Sequence, residues 1–180
     1  MTDAKFDVYS HVTEQIIAQI EAGTPPWRKP WTGGAAGAAL PMRWNGEAYR
    51  SINILMLWAM AAAKDYSSER WMTFKQAQEL GGYVRKGEKS SGAAQRLDRF
   101  SRFNDRKSYA FEELVAEIGN CMLCAQLGLE PEFDQSAAYV EGWLKALKED
   151  NRTIFRAASE AQKAVDYIMA RAAQVDRMAA

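Results

Sequence analysis

The sequence is poor in the residues that build metal sites and disulfide bonds. Its 180 residues contain one histidine, His11, and two cysteines, Cys121 and Cys124, spaced one helical turn apart. Such a pair rarely forms a structural disulfide in a reducing compartment, and a CxxC metal or redox site is the weaker interpretation of it. We therefore expect a core held by apolar packing, which a chain of this length can supply.

Long hydrophobic runs and an excess of one charge are also missing. The longest apolar stretch, residues 52–63, is interrupted by Asn53 and is far shorter than the ~20 residues that a membrane span requires. The N-terminal residues form a charged, amphipathic pattern without a signal-peptide core, so we expect a cytoplasmic protein with no membrane partner. The 23 basic and 23 acidic side chains balance, so any nucleic-acid site must be local.

The first half combines helical patterns with short strand patterns. Helical periodicity predicts an amphipathic helix over residues 4–22 and a buried apolar helix over 53–64. Residues 70–74 are rich in strand-forming types, and a capping-box pattern at Thr73 predicts that a short helix follows. Residues 83–89 have the pattern of a further strand. Residues 1–90 are therefore expected to form a small mixed α/β domain with a short sheet.

The second half is predicted to be entirely helical. Its composition changes at Ser90, where we place a domain boundary. Helical patterns then follow over residues 109–127, over 135–148 and from 151 onward. Together the two halves predict the α+β class, with a mixed domain over 1–90 and a helical domain over 91–180.

Cationic and aromatic residues alternate between positions 25 and 50. Pro25, Pro26 and Pro30 favour an extended backbone, which we expect to display Trp27 and Trp31 beside Arg28 and Lys29. Single-stranded nucleic acid is held by aromatic rings that stack on bases and by cations that follow the phosphates. The alternative is that the tryptophans are core residues and the cations are ordinary surface residues.

Three segments of the first half carry a family resemblance. They are YSHVTEQIIAQIEAGTPPWRKPW at 9–31, YRSINILMLW at 49–58 and SSERWMTFKQAQELGGYVRKGEKS at 67–90. Together they resemble the N-terminal domain of ArdC-type antirestriction proteins, which is also similar to the N-terminal part of plasmid TraC-type primases. The resemblance implies a domain that binds single-stranded DNA.

The second half resembles the end of the zincin-like metallopeptidase domain of the same family. The matching segments are SGAAQRLDR at 91–99, YAFEELVAEIG at 109–119 and AYVEGWLKALKED at 138–150. Family members carry an HExxH helix before these segments, whose two histidines bind zinc while its glutamate acts as the base. A chain with one histidine lacks that motif, so we interpret the second half as a helical remnant of the zincin-like domain.

The acidic run EELVAE at 112–117 resembles the part of the family that supplies an acidic third zinc ligand. Glu113 is the best candidate for that orphaned ligand, with Glu112 and Glu117 as alternatives. A substitute zinc site could be imagined from Glu113, Glu117, Cys121 and Cys124. These four donors would all lie on one helix, and a straight helix rarely aims more than two side chains at one point. We therefore expect no zinc, no other cofactor and no peptidase activity.

The resemblance and the residue chemistry together predict an antirestriction-type protein of plasmid or mobile-element origin, which binds single-stranded DNA and protects incoming DNA by coating it. The candidate DNA-binding residues are Trp31, Arg43, Tyr49, Arg50, Asn53, Trp71, Lys75, Arg85, Lys86 and Lys89. Asn53 could instead cap the apolar helix, and Trp71 could instead be a core residue. Double-stranded DNA is an alternative ligand.

Two other functional hypotheses stay open at this point. The chain could be a zinc metallopeptidase whose histidines come from a partner chain. It could also be a non-functional deletion remnant, because the strand at 83–89 has lost the segment that should pair with it. The same uncovered sheet edge would allow two copies to associate as a homo-oligomer.

Overall fold

The structure, a computed structural model, describes residues 7–28, 39–66, 68–83, 108–131 and 137–179. These residues form six helices and two short strands in the following order: α1 Val8–Glu21, β1 Met42–Arg43, α2 Ile52–Lys64, β2 Arg70–Trp71, α3 Phe74–Glu79, α4 Ser108–Leu127, α5 Ala137–Glu149 and α6 Thr153–Ala179. The two strands pair in parallel. A short sheet in the first half and three helices in the described parts of the second confirm the α+β prediction.

The first helix, α1, is capped by Asp7 at its start and followed by a glycine at its end. The Asp7 carboxylate accepts a hydrogen bond of 3.0 Å from the backbone N–H of Tyr9, which satisfies a donor at the helix start. Gly23 follows the helix with a φ of +79°, a conformation that costs glycine little. Between them, an apolar stripe is buried against the rest of the protein. The predicted helix is confirmed from Val8 onward, and residues 1–6 lie outside the described residues.

From α2 to α3 the helices agree with the sequence predictions, but the strands do not. The predicted apolar helix is α2, and Thr73 and Gln76 form the predicted capping box of α3. The strand predicted over 70–74 is only two residues long, because Thr73 already caps the next helix. Tyr83 is not part of a strand and is 89% exposed, and the other residues of the predicted strand at 83–89 lie outside the described residues.

Helices of both halves enclose one apolar core. α4 packs mainly along α6 and also contacts α5, while α1 lies against α5 and α2 lies against α6. Ile16 and Leu55 from the first half belong to the same buried cluster as Leu114 and Ile154 from the second. None of the helices in the described parts of the chain is long and apolar enough to cross a membrane.

The prediction that the prolines display Trp27 is wrong. Trp27 is fully buried, and its ring lies edge-to-face against that of Trp143 on α5, with 6.0 Å between the ring centroids. Beside it, the Nε of Arg28 lies 3.5 Å from a carboxylate oxygen of Glu117 on α4. The turn after Pro25 folds back onto the second half, because burying a large indole ring there removes more apolar surface from water than an extended loop would.

Candidate nucleic-acid interface

The parallel strand pair brings two predicted DNA-binding residues side by side. Arg43 on β1 is the register partner of Trp71 on β2, and Met42 is the partner of Arg70. The pair is held by a hydrogen bond of 2.8 Å from the backbone N–H of Met42 to the carbonyl oxygen of Glu69. Side chains of register partners lie on the same face of a sheet. The strands therefore place a cation next to an aromatic ring.

Arg43 also contacts the aromatic ring of Tyr49. Its guanidinium carbon lies 5.5 Å from the ring centroid, within the range of a cation–π interaction. Its Nη1 donates a hydrogen bond of 2.8 Å to the Glu47 carboxylate, and a hydrogen bond with Asn45 together with this guanidinium lowers the pKa of Glu47. Half of the Arg43 side chain remains exposed. Arg43 is thus held in place by two contacts and still faces solvent.

Trp71 lies against an aromatic residue that the sequence analysis did not select. The rings of Trp71 and Tyr66 meet edge-to-face with 5.8 Å between their centroids. They border an open concavity of about 340 Å³, lined by Asp65, Tyr66, Ser68, Arg70, Trp71 and Met72. Trp71 is half-buried and Tyr66 is 41% exposed, so the alternative that Trp71 is a core residue is wrong. Because Tyr66 lies outside the β2 pattern, only the fold reveals this neighbour.

The remaining described candidates lie around the start of α2 and on α3. Arg50 forms an exposed ion pair with Asp166 on α6. Asn53 is in the first turn of α2, and the residue at the cap position is Ser51, so the alternative that Asn53 caps this helix is wrong. Lys75 is an exposed residue of α3, with its Nζ 3.8 Å from the carboxylate of Glu79.

The structure therefore brings together Arg43, Tyr49 and Trp71, with Lys75 following shortly after β2. Arg50 is directed to α6 instead. The other predicted residues, Trp31, Arg85, Lys86 and Lys89, lie outside the described residues.

The acidic residues of α4 do not form a zinc site in the described part of the chain. Glu113 is half-buried, and Glu117 forms its ion pair with Arg28. Burial, together with the negative charge of Glu117, raises the pKa of the Cys121 thiol, which disfavours the thiolate that binds metals. Among the described residues no three histidine, cysteine, aspartate or glutamate side chains are grouped to hold a metal ion. Within the described ranges, the donors on α4 are therefore not arranged to hold a zinc ion.

Comparison with known proteins supports one family for both halves. The profile of the N-terminal domain of anti-restriction factor ArdC matches residues 6–116, and a zincin-like metallopeptidase profile matches residues 73–160. The manganese-bound crystal structure of the antirestriction protein ArdC from plasmid R388 is 42% identical, with a TM-score of 0.78 over 93% of this chain and 99% of that one. Its metal-free structure is 40% identical, with a TM-score of 0.80.

More distant relatives align with this chain over spans longer than the chain itself. Protein y4eC of Sinorhizobium fredii is 26% identical over an alignment of 290 residues, covering 95% of this chain and 94% of that protein. Because this chain has 180 residues, at least 110 of those 290 positions have no counterpart here. DNA primase TraC of Escherichia coli is 25% identical over 94% of this chain, which spans 28% of TraC. The chain belongs to the family of ArdC-type antirestriction proteins.

Proposed function

We propose that this protein binds single-stranded DNA through its first half and protects incoming plasmid DNA by binding it. One observation carries the proposal. The strand pair sets Arg43 beside Trp71, with Tyr49 against the first and Tyr66 against the second. Aromatic rings next to a cation are what a single-stranded ligand requires. The membership of the ArdC family supports the same conclusion.

The composition of this surface favours single-stranded over double-stranded DNA. Binding to a duplex relies mainly on many cations that neutralise phosphates, and the chain has no net positive charge. Unpaired bases instead expose their faces, and each base that stacks on an aromatic side chain contributes about 1 to 3 kcal/mol. Partly exposed rings such as those of Tyr66 and Trp71 can provide this contribution without a large basic surface.

We propose further that the zincin-like half has no peptidase activity. The 180 residues contain one histidine, so the two histidines that this chemistry needs are not available from this chain. Glu113 would be an orphaned ligand, and Glu117 is engaged by Arg28. The role of these helices is then structural, because they cover α1 and α2 of the first half.

Fluorescence polarisation with labelled single-stranded and double-stranded oligonucleotides tests the proposal. We expect tighter binding of the single strand. Trp71→Ala should weaken it by about 1 to 3 kcal/mol with little change in the salt dependence, because stacking involves no release of counterions. Trp71→Phe should retain most of the affinity, which separates stacking from a general loss of structure.

Substitution of a DNA-binding lysine should change the salt dependence of binding, unlike substitution of an aromatic residue. Lys75→Ala should flatten the slope of log affinity against log salt by about 0.7 if Lys75 contacts one phosphate. Lys148→Ala is a matched control, because Lys148 also belongs to an exposed ion pair, with Glu21, but lies on α5. Equal slopes for the parent, Lys75→Ala and Lys148→Ala, together with no preference for the single strand, would contradict the proposed function.

A further inference from the structure

The proposed DNA surface is tied to the zincin-like half by a chain of polar contacts. The backbone N–H of Ser51 donates a hydrogen bond of 3.0 Å to Oε1 of Gln162 on α6. The Nε2 of Gln162 in turn donates a hydrogen bond of 3.1 Å to Oδ1 of Asp166. The other carboxylate oxygen of Asp166 accepts a hydrogen bond from the guanidinium of Arg50. Both oxygens of Asp166 are therefore engaged, and one of them is engaged by a predicted DNA-binding residue.

The backbone at this junction is held in an unusual conformation. Ser51 has a φ of 52° and a ψ of −134°, which side-chain-bearing residues rarely adopt. Such a conformation persists only where surrounding contacts impose it. Gln162 is only 8% exposed and supplies one such contact. Helix α6 thus fixes the segment that carries Tyr49 and Arg50.

We propose that Asp166 competes with DNA phosphate for Arg50, so that α6 restrains single-strand binding by the first half. The inference rests on the proposed function. A carboxylate and a phosphate offer arginine the same paired acceptor oxygens and the same sign of charge. Arg50 and Asp166 are 61% and 44% exposed, and ion pairs this exposed are weak. A phosphate can therefore displace the carboxylate, but Asp166 stays anchored by Gln162 and its charge opposes the incoming strand.

The variant Asp166→Asn isolates this effect. An asparagine keeps the shape of the side chain and can still accept the hydrogen bond from Gln162, but it releases Arg50 and removes the negative charge. We expect Asp166→Asn to bind a single-stranded oligonucleotide about two- to fivefold more tightly, the change that releasing an exposed ion pair allows. Its slope of log affinity against log salt should steepen by at most about 0.7, because Arg50 then contacts a phosphate also in those complexes in which Asp166 holds it in the parent protein.

Glu21→Gln is the matched control. Glu21 on α1 pairs with Lys148 on α5, so this variant also breaks an exposed ion pair between the halves and also removes one negative charge. We expect its affinity and salt slope to equal those of the parent. The effect of Asp166→Asn should also vanish in an Arg50→Ala background, since no guanidinium is then available for release.

The outcomes separate this inference from the proposed function. If the parent protein and all variants fail to bind single-stranded DNA, the proposed function is wrong and the inference falls with it. If the parent protein binds single-stranded DNA and Asp166→Asn binds it no more tightly, only the competition between Asp166 and phosphate for Arg50 is refuted. The same holds if Glu21→Gln tightens binding equally, because net charge would then explain the gain.

Discussion

The contact between Trp27 and Trp143 predicts that both halves unfold in one transition. Trp27 is 0% exposed and Trp143 is 2% exposed, and each comes from a different half. A buried tryptophan removes roughly 200 Å² from water, which at ~25 cal/mol per Å² contributes about 5 kcal/mol. Truncation of large aromatic core residues to alanine costs about 3 to 5 kcal/mol. We expect Trp27→Ala to lower the free energy of unfolding by about 4 kcal/mol.

Urea unfolding followed by far-ultraviolet circular dichroism measures this change. The control is Trp44→Ala, because Trp44 is 43% exposed and its truncation should cost less than about 1 kcal/mol. The double variant of Trp27 and Trp143 should show a coupling energy of about 0.5 to 1.5 kcal/mol between the two rings, as edge-to-face aromatic pairs do.

Two separate transitions would refute this reasoning. In that case Trp27→Ala would shift the midpoint of one transition only, and the halves would be independent units that share no core. A broad transition without cooperativity in the parent protein would favour the hypothesis of a non-functional deletion remnant. A single sharp transition that Trp27→Ala moves as a whole is the expected result.

Four further predictions concern the metal, the thiols, the backbone and pH. The purified protein should hold no stoichiometric zinc and cleave no peptide, and one zinc per chain that survives dialysis against a chelator would contradict this. Burial raises the pKa of both thiols, so iodoacetamide followed by mass spectrometry should show slow labelling at pH 7, with Cys124 ahead of the more buried Cys121. Ser51→Gly should raise the free energy of unfolding by about 1 kcal/mol, because glycine adopts the positive φ without strain. Although burial raises the pKa of Asp150, hydrogen bonds from the Arg152 backbone and the Arg156 guanidinium lower it on balance below the ordinary 3.8. The Asp150 carboxylate therefore stabilises the fold above pH 3.8, and this stabilisation is lost as the pH falls through its lower pKa in the folded protein. When the free energy of unfolding is measured against pH, Asp150→Asn should remove this acid-dependent loss.

Local sequence patterns were sufficient to predict the helices and the family. The apolar periodicity of α1 and α2 and the capping box at Thr73 depend on residues a few positions apart, so their conformations follow from the chain itself. The ArdC-type motifs are also local, and they predicted the family that the comparisons then showed. The number of histidines likewise follows from composition alone.

The tertiary structure decided which of the cations and rings are available at the surface. Trp27 and Trp71 both stand beside arginine in the sequence, yet the first is buried under α5 and the second lies at the half-exposed edge of the sheet. Arg50 follows Tyr49 directly but is paired with Asp166, which lies 116 residues further along the chain. Burial and ion pairing depend on groups that approach each other only when distant helices pack. No pattern within a short window contains that information, because the partner that decides each case lies elsewhere in the chain.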